Sequence, residues 1–154
     1  MALAYLDTSA LVKRYVLERG SAWIKQLCET EPIAISAIAS AEVASTFARK
    51  AKEGVLTAGQ RDTLFALFLS DARSYVVIGK NKTVVQRAAV MLLTAPPGVR
   101  LRTLDALHAA SAERVFGRAR RRGIATGDFV AADGNLLAAA QWAGLSTVNP
   151  ETQP

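Results

Sequence analysis

An α/β fold, with a parallel sheet covered by helices on both faces, is the class this sequence predicts, and two observations predict it. Short apolar runs of strand length alternate with longer helix-like stretches along the chain, the pattern of parallel strands joined by helical crossovers. The 154 residues also suit one domain that buries a core without disulfides. The Pro96-Pro97-Gly98 break reads as a loop within that domain, because neither half could bury a core alone. One domain is therefore expected over residues 1–150, with 151–154 as a tail.

The elements follow in order. Ala2–Leu6 is a short apolar run and reads as the first strand. Ser9–Gly20 and Ser21–Thr30 read as helices parted at Gly20. Ile33–Ile35 follows Pro32 as the second strand, with Ser36 as the candidate N-cap of a helix reaching about Glu53 and stopped by Gly54. Thr57–Ser74 is expected to be helical, Tyr75–Ile78 the third strand, and Thr83–Thr94 a helix ending before the proline pair. Thr103–Arg122 is a long helix with Gly123 beyond it. Phe129–Ala132 is a strand, Asn135–Trp142 a helix and Leu145–Val148 a last strand.

Composition narrows the function. A hydrophobic share of 51% with 21% charged residues is that of an ordinary globular protein. The single Cys28 excludes an internal disulfide and a thiolate metal cage, which suits a reducing, cytoplasmic setting. No apolar run approaches the roughly 20 residues that span a bilayer, and Lys13, Arg14 and Glu18 interrupt the N-terminal apolar stretch too early for a secretory signal. No membrane association is expected. The formal charge of +6 and pI near 9.9 favour a polyanionic partner such as nucleic acid.

Against that basic background, four acids stand inside or at the end of apolar segments: Asp7, Glu42, Asp105 and Asp133. An ionised carboxylate buried without a partner is costly, so four of them suggest one shared site around a cation. Asp7 follows the first strand, where open α/β sheets bind ligands; a helix cap is the competing role, but Thr8 and Ser9 are available for it. Their hydroxyls could also orient a metal-bound water. Glu42 projects between Ile38, Ala39, Val43 and Phe47, on the inward stripe of its helix; a rim glutamate paired with Arg49 or Lys50 is the alternative. Asp105 shares an arc with His108, Ala109, Ala112 and Phe116, opposite Arg114, Arg118 and Arg121. Asp133 ends its strand as Asp7 ends the first; a turn with Gly134 is the alternative. Asp128, after Gly127, reads as a turn residue and a reserve candidate. Carboxylates without cysteines or a histidine cluster select hard cations, so Mg²⁺ is expected, with Mn²⁺ as a substitute. Repulsion within such a group should raise at least one of its pKa values.

Taken together, Tyr5-Leu6-Asp7-Thr8-Ser9-Ala10, Ser40-Ala41-Glu42-Val43, Leu101-Arg102-Thr103-Leu104-Asp105-Ala106-Leu107-His108 and Phe129-Val130-Ala131-Ala132-Asp133 resemble the PIN-domain ribonucleases, most closely VapC-type toxins of toxin–antitoxin pairs. The resemblance spans Ala2 to about Pro150. It implies a three-layer α/β/α sandwich with a parallel sheet and Mg²⁺-dependent cleavage of RNA by a metal-activated water. Asp7, Glu42, Asp105 and Asp133 would be its acidic quartet, with Asp7 and Asp105 the principal metal ligands. A homodimer and an antitoxin partner whose helix lies in an apolar groove are implied as well. One departure stands out: the family's usual Thr or Ser two residues before the last acid is Ala131 here. His108 also matches the family and reads as a packed, hydrogen-bonded residue beside Asp105.

Two further features bear on partners. Arg118, Arg120 and Arg121 cluster at a helix end, where they offset the helix dipole or contact RNA phosphates. Leu64–Leu69 is apolar on every side of its helix, which means full burial or cover by another chain. A phosphoacceptor receiver domain would want adjacent acids near the first strand and a late lysine, but Asp7 stands alone and no lysine follows Lys82. A catalytically silent RNA-binding or scaffolding relative stays open through Ala131.

Overall fold

The structure is a computed structural model that describes all residues, Met1–Pro154. Five strands, β1 (Leu3–Leu6), β2 (Ile33–Ser36), β3 (Val76–Ile78), β4 (Thr126–Val130) and β5 (Thr147–Val148), form one sheet in the order β3-β2-β1-β4-β5, parallel at every pairing. Seven helices complete it: α1 (Thr8–Leu11), α2 (Ser21–Thr30), α3 (Ala39–Lys52), α4 (Ala58–Asp71), α5 (Lys82–Thr94), α6 (Thr103–Arg121) and α7 (Gly134–Trp142).

β1 shows why the sheet is central. Its four residues are all buried, Leu3 and Tyr5 facing one core and Ala4 and Leu6 the other, as strand alternation requires. Leu3 and Tyr5 pack with α5, α6 and α7 through Met91, Phe116 and Leu136. Ala4 and Leu6 pack with α1 to α4 through Leu11, Ile24, Phe47 and Phe68. The result is a three-layer α/β/α sandwich whose strands all end toward one edge.

Several boundaries depart from those read in the sequence. The helix expected over Ser9–Gly20 is only α1 followed by a 3₁₀ turn at Val12–Arg14. The chain then folds back through Ser21, whose hydroxyl donates to the Val16 carbonyl and accepts from the Glu18 amide. Gly20, at φ +85, passes so close to Pro150 that an added Cβ would lie 2.7 Å from its carbonyl oxygen. Ser36 is not an N-cap: it is buried as the last residue of β2, and α3 starts at Ala39 without a side-chain cap. β4 starts earlier than expected and absorbs Gly127 and Asp128, because a bulge against β1 accommodates an extra residue between the Leu3 and Tyr5 pairings. At α4, Thr57 and Gln60 form a reciprocal capping box that fixes the start of the helix. Residues read as a tail are tied down instead, since Pro150–Thr152 forms a 3₁₀ turn and Glu151 accepts from the Lys13 ammonium at 2.7 Å.

Candidate active site

At the edge of the sheet where β1 and β4 end lies a cleft of about 740 Å³. Asp7, Glu42, Asp105 and Asp133 all line it, with Thr8, Ser9 and His108. Residues from α1, α3, α6 and the β4–α7 loop thus meet only after folding.

Asp7 caps α1 itself, the role the sequence suggested for its neighbours. Its carboxylate accepts from the Ser9 hydroxyl at 2.7 Å, the Ser9 amide at 3.1 Å and the Ala10 amide at 3.1 Å. It is 5% exposed, and burial raises its pKa in spite of the nearby His108 and those donors. Ser9 does more: its hydroxyl accepts from the Ala132 amide at 2.8 Å, so one oxygen joins the first acid to the loop that carries the last. Ala131 is buried and without a hydroxyl, but its neighbour is anchored in this way.

Glu42 does not pair with Arg49 or Lys50. Its Oε1 accepts from the Thr8 hydroxyl at 2.9 Å and from His108 Nε2 at 2.7 Å. On the far side of the ring, Tyr5 OH lies 2.9 Å from His108 Nδ1. The neutral tautomer protonated at Nε2 satisfies both contacts, with Tyr5 as donor. Burial, with the charges of Asp7 and Glu42, pushes the Tyr5 phenol well up, which keeps it a donor. Burial pushes Glu42 up as well, but the hydrogen bonds from His108 and Thr8 outweigh it and hold the carboxyl below its usual range. His108 is therefore a packed residue, bonded to Glu42 and Tyr5 rather than to Asp105.

Asp105 is half-buried in the first turn of α6 and accepts from the Arg102 amide at 3.0 Å. Burial raises its pKa, and the charge of Asp133 adds to the rise. Asp133 caps α7, accepting from the Asn135 amide at 2.8 Å and the Leu136 amide at 3.3 Å. Capping and cleft-lining coexist in three of the four acids, because each carboxylate oxygen has a second lone pair to offer. As they stand, no three His, Cys, Asp or Glu side chains are gathered tightly enough to hold a metal ion. The donor types nevertheless fit a hard cation, since they are carboxylate and hydroxyl oxygens, and both ring nitrogens of His108 are occupied.

Other sequence candidates lie elsewhere. Arg118 and Arg121 sit some 20 Å or more beyond Asp105 along α6, at about 1.5 Å per residue, and line different grooves. Arg120 turns toward Thr126. These three arginines are not part of the cleft. Asp128 is inside β4 and accepts from the Ser146 hydroxyl. The sequence reading missed the other wall of the cleft, where Lys13, its side chain 4% exposed, donates to Glu18 at 3.3 Å and to Glu151 at 2.7 Å, while Lys50 also pairs with Glu18. The only signal was a lysine directly after the apolar Ala10-Leu11-Val12 stretch. Arg102 was missed too.

A family model for the PIN domain matches residues 4–128 of this chain. Ribonuclease VapC46 of Mycobacterium tuberculosis is 32% identical over 151 residues, covering 97% of this chain and 99% of the relative. Among solved structures, FitAcB from Neisseria gonorrhoeae superposes with a TM-score of 0.66 at 19% identity, over 97% of this chain and 99% of that one. VapC20 of M. tuberculosis, described as a sarcin-ricin loop cleaving toxin, gives 0.60 at 18% identity, over 98% and 99%. These last two likenesses are of fold.

Proposed function

The chain belongs to the PIN-domain family, and we propose from this that it is a divalent-cation-dependent endoribonuclease of the cytoplasm, the toxin of a VapBC-type toxin–antitoxin pair. The observation that carries the proposal is the meeting of Asp7, Glu42, Asp105 and Asp133 on one cleft at the strand ends. The ribonuclease relative over nearly the full length supports the same conclusion.

Four carboxylates with two of their pKa values raised by burial form a site that a hard cation would relieve, and Mg²⁺, or Mn²⁺ in its place, fits the oxygen donors. Asp7 and Asp105 would be its principal holders, with Glu42 and Asp133 beside them. Bound there, the cation supplies charge neutralisation for the phosphodiester and activation of the attacking water. The protein's own part is positioning. Thr8 and His108 both hold Glu42 Oε1, leaving Oε2 as the free acceptor toward the cleft. Ser9 keeps Asp7 and the Asp133 loop at a fixed spacing.

The antitoxin belongs in an apolar groove of about 690 Å³ between the 3₁₀ turn region and α4, lined by Tyr15, Leu17, Val55, Leu56 and Leu64. The α4 stretch that looked apolar all round is only partly covered: Phe68 is fully buried, while Leu67 and Leu69 are 49% and 46% exposed. A homodimer is part of the same proposal, supported by exposed Val76 and Val77 on the edge strand β3, since apolar edges call for cover.

The test is cleavage of total RNA by the purified protein in Mg²⁺. Excess chelator should abolish cleavage, and Asp7→Asn or Asp105→Asn should each lower it roughly hundredfold or more, as loss of a charge-stabilising group does. Full activity in chelator, or in both variants, would overturn the assignment. A PIN-like protein that binds RNA without cutting it, the alternative that Ala131 keeps open, predicts binding with no cleavage in any metal.

A further inference from the structure

Four cations line the acidic cleft: Lys13, Arg49, Lys50 and Arg102. Three are already engaged. Lys13 is enclosed between Glu18 and Glu151, Lys50 pairs with Glu18, and Arg49 lies along α3 against Glu53 at 3.2 Å. Arg102 differs. Its backbone amide starts α6 by donating to Asp105, but its guanidinium is exposed at the rim with no hydrogen bond or ion pair. Its charge is near enough to act on the Asp105 carboxylate. Exposed and uncommitted, the guanidinium is available to an incoming anion. Guanidinium and phosphate match in geometry, with paired N–H donors facing paired oxygens.

We propose that Arg102 is a substrate-positioning residue: it takes a backbone phosphate of the RNA at the rim of the cleft and so sets where the strand crosses the acids. This rests on the nuclease assignment above and extends it. The wall of Lys13, Lys50, Glu18 and Glu151, by contrast, is charge-balanced and serves as scaffold. The strand is thus held on the α6 side of the cleft, and one arginine at the start of α6 contributes more to substrate capture than the several at its far end.

The experiment compares wild type with Arg102→Gln, Arg102→Lys and, as a control on the remote end of α6, Arg121→Gln. Cleavage is followed against RNA concentration, and binding of a short mixed-sequence single-stranded RNA is followed in chelator as salt is raised. Losing a charge-assisted contact of about 1.5 kcal/mol should raise the half-saturating RNA concentration of Arg102→Gln roughly tenfold with little change in maximal rate. The slope of log affinity against log salt should flatten by about 0.7, the value for one phosphate on a single strand. Arg102→Lys, which keeps the charge, should keep the salt slope and leave Mn²⁺ binding unchanged but recover only part of the affinity. The inference is overturned if Arg102→Gln matches wild type in both measurements, or if Arg121→Gln loses as much. Wild-type protein that cuts no RNA would sink the nuclease assignment and this inference together; wild type that cuts while Arg102→Gln cuts equally well sinks this inference alone.

Discussion

Replacing His108 with leucine breaks the buried chain from Tyr5 to Glu42, and its cost can be worked from the contacts. The imidazole is 2% exposed and joins Tyr5 at 2.9 Å to Glu42 at 2.7 Å. Leucine fills much of the same space, so the loss falls chiefly on the two partners. An unpaired, fully buried hydroxyl costs about 1–3 kcal/mol, and the hydroxyls of Ser36 and Ser111 beside Tyr5 put it in the lower half. Glu42 keeps Thr8, and its side chain is 24% exposed to water, so it adds about 0.5–1 kcal/mol. The sum is about 1.5–3 kcal/mol, or a Tm lower by roughly 3–12 °C for a chain of this size. Tyr5→Phe alone should cost about 1 kcal/mol, leaving only Nδ1 unpaired. Because both substitutions remove the same bond, the double variant should be less destabilised than the sum by about 1 kcal/mol. Urea unfolding of the four proteins at neutral pH, without added metal, measures this. Additivity within about 0.5 kcal/mol would show that the two side chains do not act as a unit, and the account of how His108 is held by Tyr5 would be refuted.

Asp7→Asn should raise Tm while removing activity. Burial raises the Asp7 pKa, so its ionised form weighs against folding at neutral pH, whereas an asparagine side-chain oxygen can still cap α1. The sign follows from linkage: the penalty is full above the raised folded pKa and is relieved as pH falls through it. The stability gap between variant and wild type should therefore narrow in acid, and a gap constant with pH would refute the burial argument. Glu42 and Glu18 act in the opposite sense. Both are held below the usual value of 4.5 against the upward push of burial, Glu42 by His108 and Glu18 by Lys50 and Lys13. Their contribution is present above 4.5 and lost as pH drops through the depressed values, which Glu42→Gln and Glu18→Gln should show as a shallower acid limb in stability against pH. Lys13→Met should destabilise by roughly 1–2 kcal/mol, less than a wholly buried pair because Glu18 and Glu151 are partly solvated; no change in the urea midpoint would mean that the network is incidental.

Much of the fold was legible because both faces of the sheet are covered: β1, and β2 up to Ser36, are apolar runs that could hardly be anything but buried strands. The grouping of acids in the candidate site was legible for a related reason. Asp7, Glu42 and Asp105 interrupt apolar faces, and the cost of burying charge makes such interruptions informative. What stayed hidden depended on long-range geometry. Helical periodicity shows which side of α6 Arg118 and Arg121 occupy but not that they line grooves apart from the acidic cleft. Lys13 has its nearest anion at Glu151, and nothing in local sequence joins those positions. The start of β4 was misplaced because Gly127 and Asp128 are turn residues by composition, and only the bulge against β1 lets them extend the strand.

The strand order carries one more implication. β1 is laid down first but lies at the middle of the sheet, and its neighbour β4 lies more than a hundred residues later in translation. A chain emerging from the ribosome therefore displays Asp7 and Glu42 long before the platform for Asp133 exists, and domains with such distant pairings close late. For the proposed nuclease, the cutting edge is therefore assembled only once β4 and the loop behind it have been made.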